Sequence, residues 1–152
     1  MSDANTLTQT ARWFEQAVPE PTKKSFHVQL GCHFEEVAEM LDALPTDDSK
    51  TAFLLGDARI AVGNLAEYLK TTNHVVIKPK SPALLDALCD QIVTATGVGH
   101  MLGYHMVAAM DEVNASNWSK FVDGKPIFNE NGKIMKGPQY FAPNLTTFMT
   151  KE

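Results

Sequence analysis

The sequence predicts an all-α protein with a four-helix-bundle-like core and an irregular, lysine-bearing C-terminal segment. Three observations predict it. Apolar residues recur at steps of three and four through most of the chain. Before residue 120 the only strand-like run is the short Val75-Val76-Ile77. Residues that cap or break helices punctuate the chain at helix-length intervals.

The first helix is expected from about Asn5 to Ala17, burying Leu7, Trp13, Phe14 and Val18, until Pro19 and Pro21 break it. A second starts near Ser25, placed to cap it, and carries Leu30, Phe34, Val37, Leu41 and Leu44 along one face until Pro45. The third runs from about Asp48 to Lys70, led by Asp47, Asp48 and Ser49, whose side chains complement the unpaired amides of a helix start. Residues 71–80, with Lys78-Pro79-Lys80, read as an extended crossover. Ser81 as cap and Pro82 at the first helical position open a fourth helix that is expected to continue to about Met110. Its Gly97, Gly99 and Gly103 predict close helix approach or a kink. From Asp111 onward a short helix, one or two turns and a lysine-bearing tail are expected, with Asp123-Gly124 and Asn131-Gly132 as turn dipeptides.

At 152 residues the chain is read as one domain, 1–152, large enough to bury roughly two-thirds of its unfolded surface. The 44% hydrophobic and 20% charged content is that of a soluble globular protein. Cys32 and Cys89 form no CxxC or Cys/His zinc spacing, which favours a reduced, intracellular setting. No apolar run approaches the roughly 18 residues of a membrane span, so no membrane partner and a cytoplasmic location are expected. A net charge of -5 argues against a duplex nucleic-acid binder. The charge is unevenly spread: residues 1–116 have a net charge of -7 and residues 117–152 a net charge of +2. An acidic body with a cationic tail suits a metal ion and phosphate.

On the second helix Glu35, Glu36, Glu39 and Asp42 fall along one stripe beside the apolar face. Like charges at this spacing repel by a few tenths of a kcal/mol per exposed pair, so something positive should compensate them. Asp86 and Asp90, four residues apart on the fourth helix, lie among core candidates Leu84, Leu85, Leu88, Ile92 and Val93 and offer a matching pair. Hard oxygen ligands of this kind suit Mg²⁺ or Mn²⁺. A di-iron carboxylate bundle would need Glu-x-x-His pairs, and no glutamate here has histidine three residues on. The competing reading is a solvated acidic face. In the tail, Asn114, Asn117, Lys120, Lys125, Lys133 and Lys136 place amides and ammonium groups around glycine turns, where they can meet phosphate oxygens. Phe128, Tyr140 and Phe141 can stack on a base or pack on the helices.

These segments carry a resemblance. HFEEVAEMLDAL at residues 33–44 resembles the EExxE helix of the MazG-like, all-α nucleoside triphosphate pyrophosphohydrolases, and DALCDQIV at residues 86–93 resembles their second acidic helix. Residues 111–145, with SNWSK, DGK, NGK and KGPQY, are similar to the tail of the phage-type branch. The second motif departs from the family pattern: Ala87 stands where ExxD would place glutamate, and Asp86 lies one position earlier. The resemblance implies hydrolysis of a nucleoside triphosphate to the monophosphate and pyrophosphate, with Mg²⁺ or Mn²⁺ held by the acidic helices. It also implies a homodimer or homotetramer with the site near a subunit interface and, in the phage-type branch, a preference for dGTP or GTP. Glu35, Glu36 and Glu39 are then the expected catalytic carboxylates, and these three with Asp86 and Asp90 the expected metal ligands. Asn114, Asn117, Lys120, Lys125, Lys133, Lys136 and Tyr140 are the expected substrate contacts. A noncatalytic nucleotide- or metal-binding module, or an acidic face that meets a basic protein, would use the same residues.

Other features carry less. Gly97-x-Gly99 with Gly103 lacks the preceding strand and the spacing of a dinucleotide fingerprint. His27, His33, His74, His100 and His105 are scattered, and Met101, Met106 and Met110 read as core or interface filler.

Overall fold

The structure is a computed structural model that describes residues 5–73, 77–78 and 81–149. His74, Val75, Val76, Pro79 and Lys80 of the expected crossover lie outside the described residues. The protein is all-α, as the apolar spacing predicts. The helices among the described residues are α1 (Thr6–Ala17), α2 (Lys23–Asp42), α3 (Ser49–Thr71), α4 (Pro82–Met101) and α5 (Met106–Trp118), with a 3-10 turn at Thr146–Phe148. None is long and apolar enough to cross a membrane. The described residues group into two compact units. One lies within Glu20–Val76 and Phe128–Ile134, the other within Met1–Pro19, Ile77–Ile127 and Met135–Glu152.

The first of these units is built on α2 and α3. Thr22, rather than Ser25, caps α2: the Thr22 hydroxyl accepts from the Ser25 amide at 3.1 Å, and the Ser25 hydroxyl accepts from the Thr22 amide at 2.6 Å. This reciprocal box starts the helix at Lys23, three residues earlier than Ser25 as cap would place it. The helix ends at Asp42, so Leu44, expected on its apolar face, lies beyond it and is exposed. Asp48 caps α3 as expected, accepting from the Thr51 amide at 2.7 Å. Contacts Lys24 to Lys70, Glu35 to Lys70 and Asp42 to Arg59 show that α3 descends as α2 ascends. The seam between them is made of small residues, with Gly31, Ala38 and Ala66 all buried beside Val28 and Leu69. A Cβ on Gly31 would stand 2.8 Å from the Ala66 carbonyl oxygen and 2.7 Å from Lys70 Cγ, so glycine is what lets the backbones meet here.

Residues 128–134 complete this unit as a tight turn. A bridge joins Phe128 to Ile134, and Gly132 takes the left-handed conformation (φ 81°) that the Asn131-Gly132 dipeptide predicts. Asn129 Oδ1 accepts from the amides of Asn131 and Lys133, both at 2.9 Å.

The other unit packs α1 on α5. Trp13 and Ala17 are buried, whereas Leu7, expected in the core, is 58% exposed. Trp13 stacks on Phe121 with ring centroids 5.6 Å apart and donates from Nε1 to the Asn117 carbonyl at 2.9 Å. Ser81 and Pro82 open α4 as expected. The helix then stops at Met101, short of the Met110 that periodicity predicts. Gly103, at φ 77°, lets the Tyr104 amide reach the Gly99 carbonyl (2.9 Å) and its own amide reach that of His100 (3.0 Å), the paired bonds that close a helix end. Gly99 is buried where Met106 folds back, and a Cβ there would collide with the Met106 thioether. The chain restarts as α5, so the short helix expected after Asp111 is the second half of a helix that begins at Met106 and runs to Trp118. Leu85, Leu88, Ile92 and Val93 of α4 are exposed rather than core, and Met101 is 83% exposed. Asp123 (φ 50°) and Gly124 (φ 73°) form the predicted tight turn and close a bridge from Val122 to Lys125.

Candidate functional site

The acidic stripe of α2 faces α3 across a cavity of about 310 Å³. Successive helical residues point about 100° apart, so neighbouring glutamates cannot share one face. Glu35, Glu39 and Asp42, spaced four and three apart, line the cavity, and Glu36 does not. From α3 come Arg59, Asn64, Glu67 and Lys70. The four carboxylates are hard oxygen donors.

The positive charge that the stripe demands is supplied by the chain itself. Lys70 Nζ donates to Glu35 Oε1 at 2.7 Å, and Lys133 Nζ donates to Glu35 Oε2 at the same distance, so each carboxylate oxygen has its own ammonium. Lys70 also lies 3.4 Å from Glu67, and Arg59 Nε meets both oxygens of Asp42 at 3.0 and 2.9 Å. Partial burial pushes the Glu35 carboxyl up, but the hydrogen bonds and charges of Lys133 and Lys70 outweigh it and hold the group below the usual carboxylate range. Burial acts on Lys70 in the opposite sense and is likewise outweighed, by Glu35 and Glu67, which raise the ammonium above its ordinary value. Cys32, one turn before Glu36 on α2, is half-buried and free, and burial pushes its thiol up. Cys89 is free and exposed.

The other expected site residues belong to the other unit. Asp86 and Asp90 are exposed on α4, in the other unit. Among the described residues no three Asp, Glu, His or Cys side chains stand close enough to hold a metal ion together. Asn114 is 1% exposed, and its amide joins α5 to α1: Thr10 donates to Oδ1 at 2.9 Å, and Nδ2 donates to the Thr6 carbonyl at 3.1 Å. Asn117 Oδ1 accepts from Lys120 Nζ at 2.8 Å, and Lys120 also lies over the Trp13 ring. Lys136 sits 4.7 Å from the Tyr140 ring centre, and Lys125 is exposed beside its turn. Lys133, expected as a phosphate-binding residue, is tied to the acidic stripe through Glu35.

Sequence reasoning missed Arg59, Glu67 and Lys70. Their signal was available as a second charged stripe at helical spacing on α3, interleaved with the small residues Gly63 and Ala66 that mark a close helix contact. Comparison with protein-family models, with curated proteins and with solved structures gave no match.

Proposed function

We propose that the protein is a divalent-cation-dependent hydrolase that converts a (deoxy)nucleoside triphosphate, dGTP or GTP foremost, to the monophosphate and pyrophosphate in the cytoplasm. The observation that carries this reading is the set of four carboxylates, Glu35, Glu39, Asp42 and Glu67, on the walls of one cavity with two built-in cations. In kind, this donor set fits Mg²⁺ or Mn²⁺. In spacing, Lys70 stands between Glu35 and Glu67, Lys133 holds the other oxygen of Glu35 and Arg59 holds Asp42, so a cation would have to displace an ammonium to gain Glu35. When bound, the metal would neutralise triphosphate charge and lower the pKa of a water molecule. Glu39 would be the carboxylate to orient that water or accept its proton, because Glu35 and Asp42 are already paired. Lys70 and Arg59 offer the triphosphate fixed positive charge, and Asn64 offers an amide.

The MazG-like resemblance of residues 33–44, 86–93 and 111–145 supports the same chemistry. A noncatalytic nucleotide-binding module is the second reading, favoured by the pairing of Glu35 and Asp42 with cations of the chain. Incubation with each common nucleoside triphosphate and Mg²⁺ or Mn²⁺, followed by product separation, decides between them. Monophosphate and pyrophosphate are the expected products, with the guanine nucleotides turned over fastest. A bound but intact nucleotide would establish the second reading.

We infer further that the protein works as a homodimer or homotetramer. Leu85, Ile92 and Val93 are 66%, 52% and 68% exposed, and a helix apolar on several sides is one that other surfaces cover. Sedimentation equilibrium should return two or four times the 16.7 kDa chain mass. Ile92→Asp should shift that mass toward one chain.

A further inference from the structure

We propose that the outer face of α3 is an interface with a second copy of this chain, paired antiparallel about a two-fold axis between Ile60 and Ala61. The proposal does not depend on the hydrolase reading, and it names a surface other than the α4 face. Successive helical residues point about 100° apart, so the side of α3 that buries Ala66 and Leu69 against α2 leaves the opposite side to Phe53, Leu54, Ile60, Ala61, Leu65 and Tyr68. All six are exposed, the five large ones by 43–64%. From Phe53 to Tyr68 the stripe runs about 22 Å along the helix, longer than the single apolar side chains that ordinary surfaces scatter.

The order of residues in the stripe says what covers it. Asp57 and Asn64 interrupt the apolar run, and a wholly apolar partner would take both out of water without a hydrogen bond. A second α3 running the other way meets both. With the axis between Ile60 and Ala61, Asp57 of each copy falls opposite Asn64 of the other, so an amide donor faces a carboxylate, and the symmetry makes the contact twice. The same register sets Phe53 opposite Tyr68, Leu54 beside Leu65, and Ile60 against the small Ala61, where two helices can approach closely. A polar pair inside an apolar helix contact fixes its register, because sliding the copies strands the carboxylate against an aliphatic side chain. Asn64 also borders the α2–α3 cavity, and its amide has a second N–H for that side.

Sedimentation equilibrium of the full chain measures the association, and an exchange of side chains tests the register. Asn64→Asp sets carboxylate against carboxylate twice and should weaken association about tenfold or more. Adding Asp57→Asn restores an amide opposite each carboxylate and should return association to within about threefold of wild type. Phe53→Cys with Tyr68→Cys tests the direction. The two positions are too far apart on one helix to bond, so a 53–68 disulfide, identified by peptide mass after mild oxidation, joins two copies. A monomeric wild-type protein, unweakened association in Asn64→Asp, no recovery in the double variant, or a covalent dimer without the 53–68 link would each overturn the proposal. Dissociation by Ile92→Asp with none by Ile60→Asp would overturn it as well and place the second copy on α4 alone.

Discussion

Glu39→Gln is expected to lower nucleoside triphosphate hydrolysis by about 10²–10³-fold, the usual cost of removing one charged group from a preorganised site. Glu39 sits midway along the stripe that lines the α2–α3 cavity. Its neighbours on that stripe are committed, Glu35 to Lys70 and Lys133 and Asp42 to Arg59. Among the described residues Glu39 has no ion-pair partner, so its charge is the one the arrangement leaves for an incoming ligand. Glutamine keeps the shape and removes the charge. Because Glu39 is exposed, the fold should be unaffected within about 0.5 kcal/mol, which a urea titration checks. Glu36→Gln is the informative contrast: that side chain does not line the cavity, and its turnover should stay within about tenfold of wild type. Phosphate analysis of pyrophosphate release at saturating substrate measures both. Wild-type rates in Glu39→Gln would remove the cavity as the reaction site.

Much of the architecture was legible because local signals and tertiary contacts agreed. Ser81-Pro82 and Asp48 start helices where capping chemistry says they should, and Asp123-Gly124 and Asn131-Gly132 make their turns. Periodicity failed at Gly103. A helical pattern continues through a glycine in sequence, but the closing bonds from Tyr104 and Gly103 depend on a left-handed φ that only coordinates reveal. It failed again for Leu85, Ile92 and Val93, since an apolar pattern says that a face wants cover and not which surface provides it. The acidic stripe was read correctly as needing positive charge. Its partners were not found, because Lys70 and Lys133 lie 35 and 98 residues from Glu35. A divalent ion and two lysines answer the same electrostatic demand, so the stripe alone could not distinguish them. The tail shows the opposite error. Asn114 has the composition of a ligand-binding amide, and burial between α1 and α5 makes it a helix tie.

Gly31→Leu is expected to destabilise the protein by about 3 kcal/mol, at the upper end of what overpacking a close contact costs. The seam leaves no room: even a Cβ would stand 2.8 Å from the backbone oxygen of Ala66, which cannot rotate away as a side chain would. The Lys70 Cγ at 2.7 Å can move, but only by withdrawing the stem that carries its ammonium to Glu35. Gly31→Ala separates the two effects. Its methyl group meets the same oxygen, while alanine recovers about 1 kcal/mol of helix propensity, so the net loss should be smaller. With a urea dependence of about 2 kcal/mol per molar, Gly31→Leu should lower the unfolding midpoint by roughly 1.5 M. If Gly31 were merely a tolerated glycine on a helix surface, both substitutions would raise the midpoint. The same shift bears on the site. Gly31 and Glu35 lie one turn apart on the face that meets α3, so spreading the helices at the first moves Lys70 off the second. Gly31→Leu should therefore lose hydrolysis even at urea concentrations where it remains folded, whereas a purely structural role would leave the rate per folded molecule unchanged.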